Sequence, residues 1–298
     1  MTADKMHVGE VDIDASLVRR LLAVQFPQWA DLPIEPVPSA GTDNALYRLG
    51  HDMAVRLPRI HWAAGVDKEH EWLPKLAPFL PLAIPVPLAK GNPGEGYPWH
   101  WSVYRWLEGE NASIERIVDL RQAATDLAQF IVALQQIEPA GGPPARRGVP
   151  LARRDQPTRE AIAALRGTLD VDAVTAAWDV ALEAPAWQGP PVWVHGDLLP
   201  GNLLVKQGRL SAVIDFAGLG VGDPACDLMI AWNLFTAETR GAFRAALAVD
   251  DATWARGRGW ALSQALIFIP YYLDTNPAGV AVARRTINEV LADGSASN

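Results

Sequence analysis

Residues 194–202, VHGDLLPGN, hold an acid and an amide five positions apart on a segment that cannot be an ordinary helix. Gly196 and the Pro200-Gly201 pair break helical continuity, so the stretch must present side chains from a turn. Two apolar runs around Gln207-Gly208 follow in NLLVKQGRLSAVIDF. They read as a β-hairpin that delivers a second acid, Asp215, at its end. The turn at Pro200-Gly201 is expected to aim Asp197 and Asn202 into one cavity, with the hairpin supplying Asp215.

The rest of the chain divides by character. The first hundred residues read as short strands and turns with one helix. NALYRLG and DMAVRLPR (44–50 and 52–59) form a hairpin around Gly50-His51. A helix with Asp67 as its cap puts Trp72, Leu73 and Leu76 on one face and ends at Pro78. Six prolines between 78 and 98 require extended or looped chain, and HWSVYRWL (100–107) reads as a strand. Beyond residue 110 the pattern turns helical: Leu120, Ala124, Leu127, Ala128, Ile131 and Leu134 recur at helical spacing. AGGPPARRG (140–148) is a loop, and apolar runs near 170–184, 226–235, 251–273 and 278–291 read as further helices. The expected layout is a strand-rich lobe over 1–104, a bridge over 105–109 and a mainly helical lobe over 110–298, with a ligand cleft at the bridge.

Bulk properties bound the function. At 298 residues, with 49% apolar and 20% charged side chains, the chain can bury a large core. The single Cys226 excludes an internal disulfide and suits a reducing cytoplasm. The opening MTADKMHVGEVDID lacks the apolar core of a signal peptide, and no apolar run is long enough to span a bilayer, so no membrane partner is expected. A net charge of −8 argues against nucleic acid and is better matched by a cationic small molecule.

The spacing H-x-D-x-x-x-x-N of His195, Asp197 and Asn202 is that of the protein-kinase catalytic loop, and Asp215 in VIDFA stands where kinases carry a metal-binding aspartate. HGDLLPGN followed by VIDFAGLGVGDPACDL resembles the aminoglycoside phosphotransferase family, small-molecule kinases with a protein-kinase-like fold. The resemblance spans roughly residues 35–275. It implies an α+β, two-lobed protein-kinase-like fold and transfer of the γ-phosphate of ATP or GTP to a small-molecule hydroxyl. An aminoglycoside or other antibiotic is the implied acceptor class. Macrolides, choline-like alcohols, homoserine and sugar amines are acceptors of the same architecture.

The resemblance also implies roles. Asp197 accepts or orients the hydroxyl proton, and Asn202 and Asp215 offer oxygens to Mg²⁺. SAGTDNALYRL is similar to the nucleotide-covering turn, with Ser39, Gly41, Thr42 and Asn44 available to phosphates. Arg56 stands where the family places a phosphate-holding lysine; its planar fork keeps the charge but changes reach and geometry. Glu69 is its expected partner, with Glu71 competing. Arg105 to Leu107 would meet the nucleotide base through backbone groups.

Other readings compete. His195 is expected to brace the loop, and Asp223 to cap a helix starting near Pro224. GLGVG (218–222) lacks the spacing of a dinucleotide fingerprint. Asp155, Glu160 and Asp274 are weak candidates for holding a cationic acceptor. A metallophosphoesterase would require a histidine where Leu203 stands. A catalytically silent nucleotide-binding module is the remaining alternative, motivated by Arg56.

Overall fold

The computed structural model describes residues 9–38, 43–61 and 65–295. Its chain packs as two compact units, Met1–Gly109 with Ala212–Ala217, and Glu110–Ser211 with Gly218–Asn298. The six residues Ala212–Ala217, which carry Asp215, thus pack with the first unit although they lie far along the chain.

In the first unit, α1 (Ala15–Gln25) precedes strands β1 (Ile34–Pro36), β2 (Asn44–Leu49) and β3 (Met53–Pro58). Then come α2 (Val66–Leu76), β4 (Pro87–Gly91) and β5 (Trp101–Arg105). The strands form one antiparallel sheet in the order β1-β2-β3-β5-β4. Period-2 alternation sorts its faces. Tyr47, Leu49, Val55, Leu57, Trp101 and Val103 join Leu17, Val18, Leu21 and Leu22 of α1 in one core. Arg56 and Ser102, which face each other across β3 and β5, alternate away from that core. Gly91 pairs with Trp101 in β4–β5, and a Cβ there would lie 2.0 Å from the indole ring, so only glycine fits.

Two expectations fail in this unit. Among the described residues its first hundred positions hold two α-helices, not one. The spacing of Leu17, Val18, Leu21 and Leu22, with Asp14 accepting from Leu17 N at 2.7 Å, carries the α1 signal. Helix α2 starts at Val66 with Gly65 in the cap position, and Asp67 lies inside its first turn, where it pairs with Lys90 Nζ at 2.9 Å. The buried face of α2 is Val66, Glu69, Leu73 and Leu76, with Trp72 only half-buried beneath Lys75.

The second unit opens with β6 (Glu110–Asn111), α3 (Leu120–Gln136), α4 (Asp155–Ala164) and α5 (Val171–Leu182). Next come β7 (Val192–Val194), β8 (Leu203–Lys206), β9 (Arg209–Val213), which runs on into the first unit, and β10 (Gly220–Gly222). It closes with α6 (Ile230–Asn233), α7 (Ala237–Leu247), α8 (Asp251–Tyr272) and α9 (Pro277–Ser295). Helices α4 and α7 are not foreseen from sequence. The apolar run near 226–235 is largely 3-10 turn, Pro224–Met229, before the short α6. The hairpin β8–β9 turns at Gln207-Gly208 as expected, and β7 pairs antiparallel with β10 behind the 194–202 loop. Helix α8 packs against α4, α5 and α9 and buries Trp260, Leu262 and Leu266. Among the described residues, no helix is long and apolar enough to cross a membrane.

Candidate active site

In the first unit, β3 and α2 set Arg56 opposite Glu69. Arg56 Nη1 donates to both Glu69 oxygens, at 2.7 and 2.8 Å. Its Nη2 donates to Asp215 Oδ1 at 2.8 Å. With its amide oxygen turned to the guanidinium, Asn44 accepts from Arg56 Nη2 at 2.9 Å. Tyr104, next to Arg105 on β5, donates its hydroxyl to Glu69 Oε2. Burial alone would lower the Arg56 pKa, but Glu69 and Asp215 outweigh it and hold the group well above its ordinary value. Tyr104 is pushed far up by burial and then by Glu69.

Glu71, the competing partner, pairs with Lys75 instead. Asp215 sits in left-handed backbone, φ +63°, a conformation that aspartate tolerates better than most residues. Lys68, one position before Glu69, donates to Ala217 O at 2.7 Å, just past Asp215. Burial lowers its pKa. Nothing in the sequence pattern singles out this lysine.

The expected hinge residues begin at the end of β5. Arg105 is exposed, and its N–H is spent on Val86 O at 2.9 Å, so that donor is not offered to a base. Leu107 is half-buried. Ser39, Gly41 and Thr42 lie outside the described residues.

In the second unit, the 194–202 loop is built from β7 outward. His195 N and Gly196 N donate to the two oxygens of Asp227, at 2.7 and 2.8 Å, and Asp227 and His195 are fully buried. Burial raises the Asp227 pKa, with His195 and the two backbone donors opposing it. Asp197 N in turn donates to His195 Nδ1 at 3.2 Å. The histidine and Asp227 therefore brace the loop from behind. Gly196 has φ +78°, and a Cβ there would lie 2.6 Å from Gly218 O.

The 3-10 turn Pro200–Asn202 brings Asn202 back onto Asp197: Asn202 Nδ2 donates to Asp197 O at 2.8 Å. Arg147, from the 140–148 loop, donates through Nη1 to Asp197 Oδ1 and to Gly196 O, the latter at 2.9 Å. That contact joins residues fifty positions apart, and no local pattern announces it. Asp223 accepts from Ala225 N and from Arg256 Nε, both at 2.9 Å, a capping and ion-pair role. Asp155 accepts from Trp178 Nε1 at 2.8 Å and from Arg159, and Glu160 accepts from Gln156.

The structure thus brings Asn44, Arg56, Glu69 and Asp215 together in the first unit, and Asp197 and Asn202 together in the second. Among the described residues no cluster of three or more His, Cys, Asp or Glu side chains could hold a metal by itself. The amide oxygen of Asn202 and the carboxylate of Asp215 are oxygen donors of the type a magnesium ion takes.

Known proteins share this fold. The chain superposes on the GDP complex of wild-type aminoglycoside 2'-phosphotransferase-IIIa with a TM-score of 0.73 at 18% identity, covering 95% of this chain and 100% of that one. A macrolide 2'-phosphotransferase, MphH from Brachybacterium faecium, gives 0.60 at 23% identity, covering 92% and 98%. In sequence, the uncharacterized protein YcbJ of Bacillus subtilis (strain 168) is 26% identical over 190 residues, 62% of this chain; the match covers 58% of that protein's length. The fold is the bilobed, protein-kinase-like one of these phosphotransferases, with a strand-rich N-terminal sheet and a mostly helical C-terminal region. The profile of the phosphotransferase enzyme family matches residues 34–260, the span that holds every cluster described above, and the chain belongs to that family.

Proposed function

We propose that this protein moves the γ-phosphate of ATP or GTP to a hydroxyl of a small molecule. The hydrogen bond from Asn202 to Asp197 on the loop braced by Asp227 carries the reading. It ties the Asn202 side chain to the backbone carbonyl of Asp197, which keeps the amide close to that residue on the turn, and the order and spacing of the two match those of a kinase catalytic loop.

Asp197 would orient the acceptor hydroxyl and take its proton as the acceptor oxygen bonds to the γ-phosphorus and the nucleoside diphosphate leaves. Asn202 and Asp215 would hold Mg²⁺, which when bound offsets charge on the phosphate oxygens. Arg56, anchored by Glu69, would meet the phosphates with a fork in place of an ammonium. Because Arg56 Nη2 donates to Asp215 Oδ1, an ion held at Asp215 would have to share that carboxylate with the guanidinium or displace it. The reading carries with it a cytoplasmic setting, where nucleoside triphosphates are plentiful. The structural neighbours are named for aminoglycosides and macrolides, and either class lies within the acceptors this proposal covers.

The test is nucleotide consumption with a panel of hydroxylated acceptors, comparing the native protein with Asp197→Ala. Loss of transfer in the variant, with Mg²⁺-nucleotide still raising its melting temperature, supports the assignment; undiminished transfer refutes it. Asn202→Ala and Asp215→Ala should each weaken metal-dependent nucleotide binding. A silent nucleotide-binding module is favoured by one observation, Arg56 in the lysine position. It would show Mg²⁺-nucleotide stabilisation in the native protein with no transfer to any acceptor.

A further inference from the structure

Asp197 pairs with Arg147, and the segment that carries Arg147 is rich in arginine, with Arg146, Arg153 and Arg154 also on it. Arg147 lies on the carboxylate itself. Arg146, beside it, is exposed and makes no ion pair among the described residues. Arg154, at the end of the 3-10 turn Leu151–Arg154, is half-buried, and it too has no carboxylate partner.

Arg154 is nonetheless held in place. Its Nε donates to Ser263 Oγ at 3.1 Å, and its guanidinium lies 5.4 Å over the ring of the fully buried Trp260. Thr158 Oγ1, 2.7 Å from Ser263 Oγ, donates to Arg154 O at 2.6 Å, so backbone and side chain are fixed through one pair of buried hydroxyls. The two terminal nitrogens of Arg154 have no protein partner among the described residues. The fully buried indole N–H of Trp260 has none either.

A cation taken partly out of water is costly unless something answers its charge. Here the neighbours make matters worse. Burial, then Arg147 and Arg146, push the Arg154 pKa down to about 10, which still leaves it charged at neutral pH. The nearest acids on the same segment are engaged elsewhere, Asp155 with Trp178 and Arg159, Glu160 with Gln156. A polycation delivered to Asp197 would meet like charge, whereas an oxyanion would supply the missing counter-charge.

We infer that the acceptor is a hydroxylated small molecule bearing an oxyanion, a carboxylate or a phosphate, and that Arg154 grips that group while the hydroxyl is presented to Asp197. The inference rests on the reading of Asp197 as the phosphotransfer residue. Arg146 adds attraction at longer range, and Arg147 remains committed to Asp197.

The first test uses inorganic phosphate. Melting temperature is measured with phosphate against chloride at matched ionic strength, with and without saturating Mg²⁺ and a non-hydrolysable ATP analogue. Phosphate should stabilise the nucleotide-loaded native protein; Arg154→Gln should lose that increment while keeping the increment from nucleotide, and Arg154→Lys should keep the nucleotide increment and part of the phosphate one. No phosphate increment in the native protein, or an equal one in Arg154→Gln, overturns the inference. Absence of any nucleotide increment would instead count against the function proposed above, and the phosphate comparison between native protein and Arg154→Gln would still stand.

The second test compares glucose 6-phosphate, glucose and kanamycin as acceptors. Turnover should favour the phosphorylated sugar, and Arg154→Gln should raise its KM by about tenfold, the worth of one charge-assisted contact, with kcat little changed. Kanamycin used in preference to it, with no change in Arg154→Gln, overturns the inference and leaves phosphotransfer intact.

Discussion

Arg56 Nη2 lies 2.8 Å from Asp215 Oδ1 while Nη1 of the same guanidinium spans both oxygens of Glu69. One cation therefore answers two carboxylates drawn from α2 and from the segment after β9. A lysine could not divide itself this way, since it offers a point charge where arginine offers a fork.

The first prediction concerns that fork. Glu69 is 2% exposed, so Arg56→Ala strands a buried carboxylate and should cost about 3–5 kcal/mol in urea unfolding. Arg56→Met with Glu69→Leu removes both charges and should recover most of the loss. A double variant no more stable than Arg56→Ala would mean that the pair is not the source of the cost. Arg56→Lys should be intermediate in stability.

A second prediction follows from the bracing of the 194–202 loop. Gly196 needs both positive φ and room for Gly218 O, which a Cβ would approach to 2.6 Å. Gly196→Ala should destabilise by more than the ~1 kcal/mol that alanine costs in left-handed backbone alone, because two backbones must separate. Gly201→Ala has nothing within 4 Å of its added Cβ and is the matched control. Equal unfolding midpoints for the two variants would rule out the close approach as the constraint.

What was legible from sequence divides along the same line as these two sites. His195, Asp197 and Asn202 sit within eight residues of one another, and their spacing on a turn is dictated by the chemistry, so the loop could be read directly. The pairing of Arg56 with Glu69 is what the family resemblance implies, with Glu71 competing, and the buried face of α2 decides between the two. Arg147 and Lys68 escaped notice because each acts through a contact set by tertiary packing, across 50 and 149 positions. Helices α4 and α7 were lost for a different reason: few of their residues are buried, so their apolar stripes are thin.

The pH dependence of stability offers a third prediction, through His70. Its Nε2 lies 2.8 Å from Ser102 Oγ, and burial holds its pKa below the ordinary 6.5, with Lys90 adding to the depression and Glu69 and Asp67 opposing it. The unfolded chain therefore binds a proton more readily than the folded one. Stability is complete above pH 6.5 and declines as pH falls from 6.5 through the folded-state value, at no more than about 1.4 kcal/mol per pH unit for this one group. His70→Gln should flatten that part of the profile measured between pH 7 and 5. A native slope that survives the substitution would assign the effect to other groups.

The last prediction separates rate from stability at Arg147. Its side chain and that of Asp197 are each about a quarter exposed, 26% and 25%, so solvent screens the pair and its contribution to folding should be at most about 1 kcal/mol. Its geometric effect is larger. By donating to Asp197 Oδ1 and Gly196 O from one nitrogen, Arg147 ties the carboxylate to its own backbone and restricts its rotation. Phosphoryl transfer depends on orienting the nucleophile, and a displacement of about 1 Å can cost on the order of a hundredfold in rate. Arg147→Gln should therefore lower kcat by roughly ten- to a hundredfold, leave the nucleotide KM within about twofold, and shift the melting temperature by only a degree or two. Arg147→Lys, which keeps the charge on a shorter side chain, should recover a fraction of the rate. A fall in melting temperature proportionate to the fall in activity would mark Arg147 as a structural residue and remove it from the positioning of Asp197.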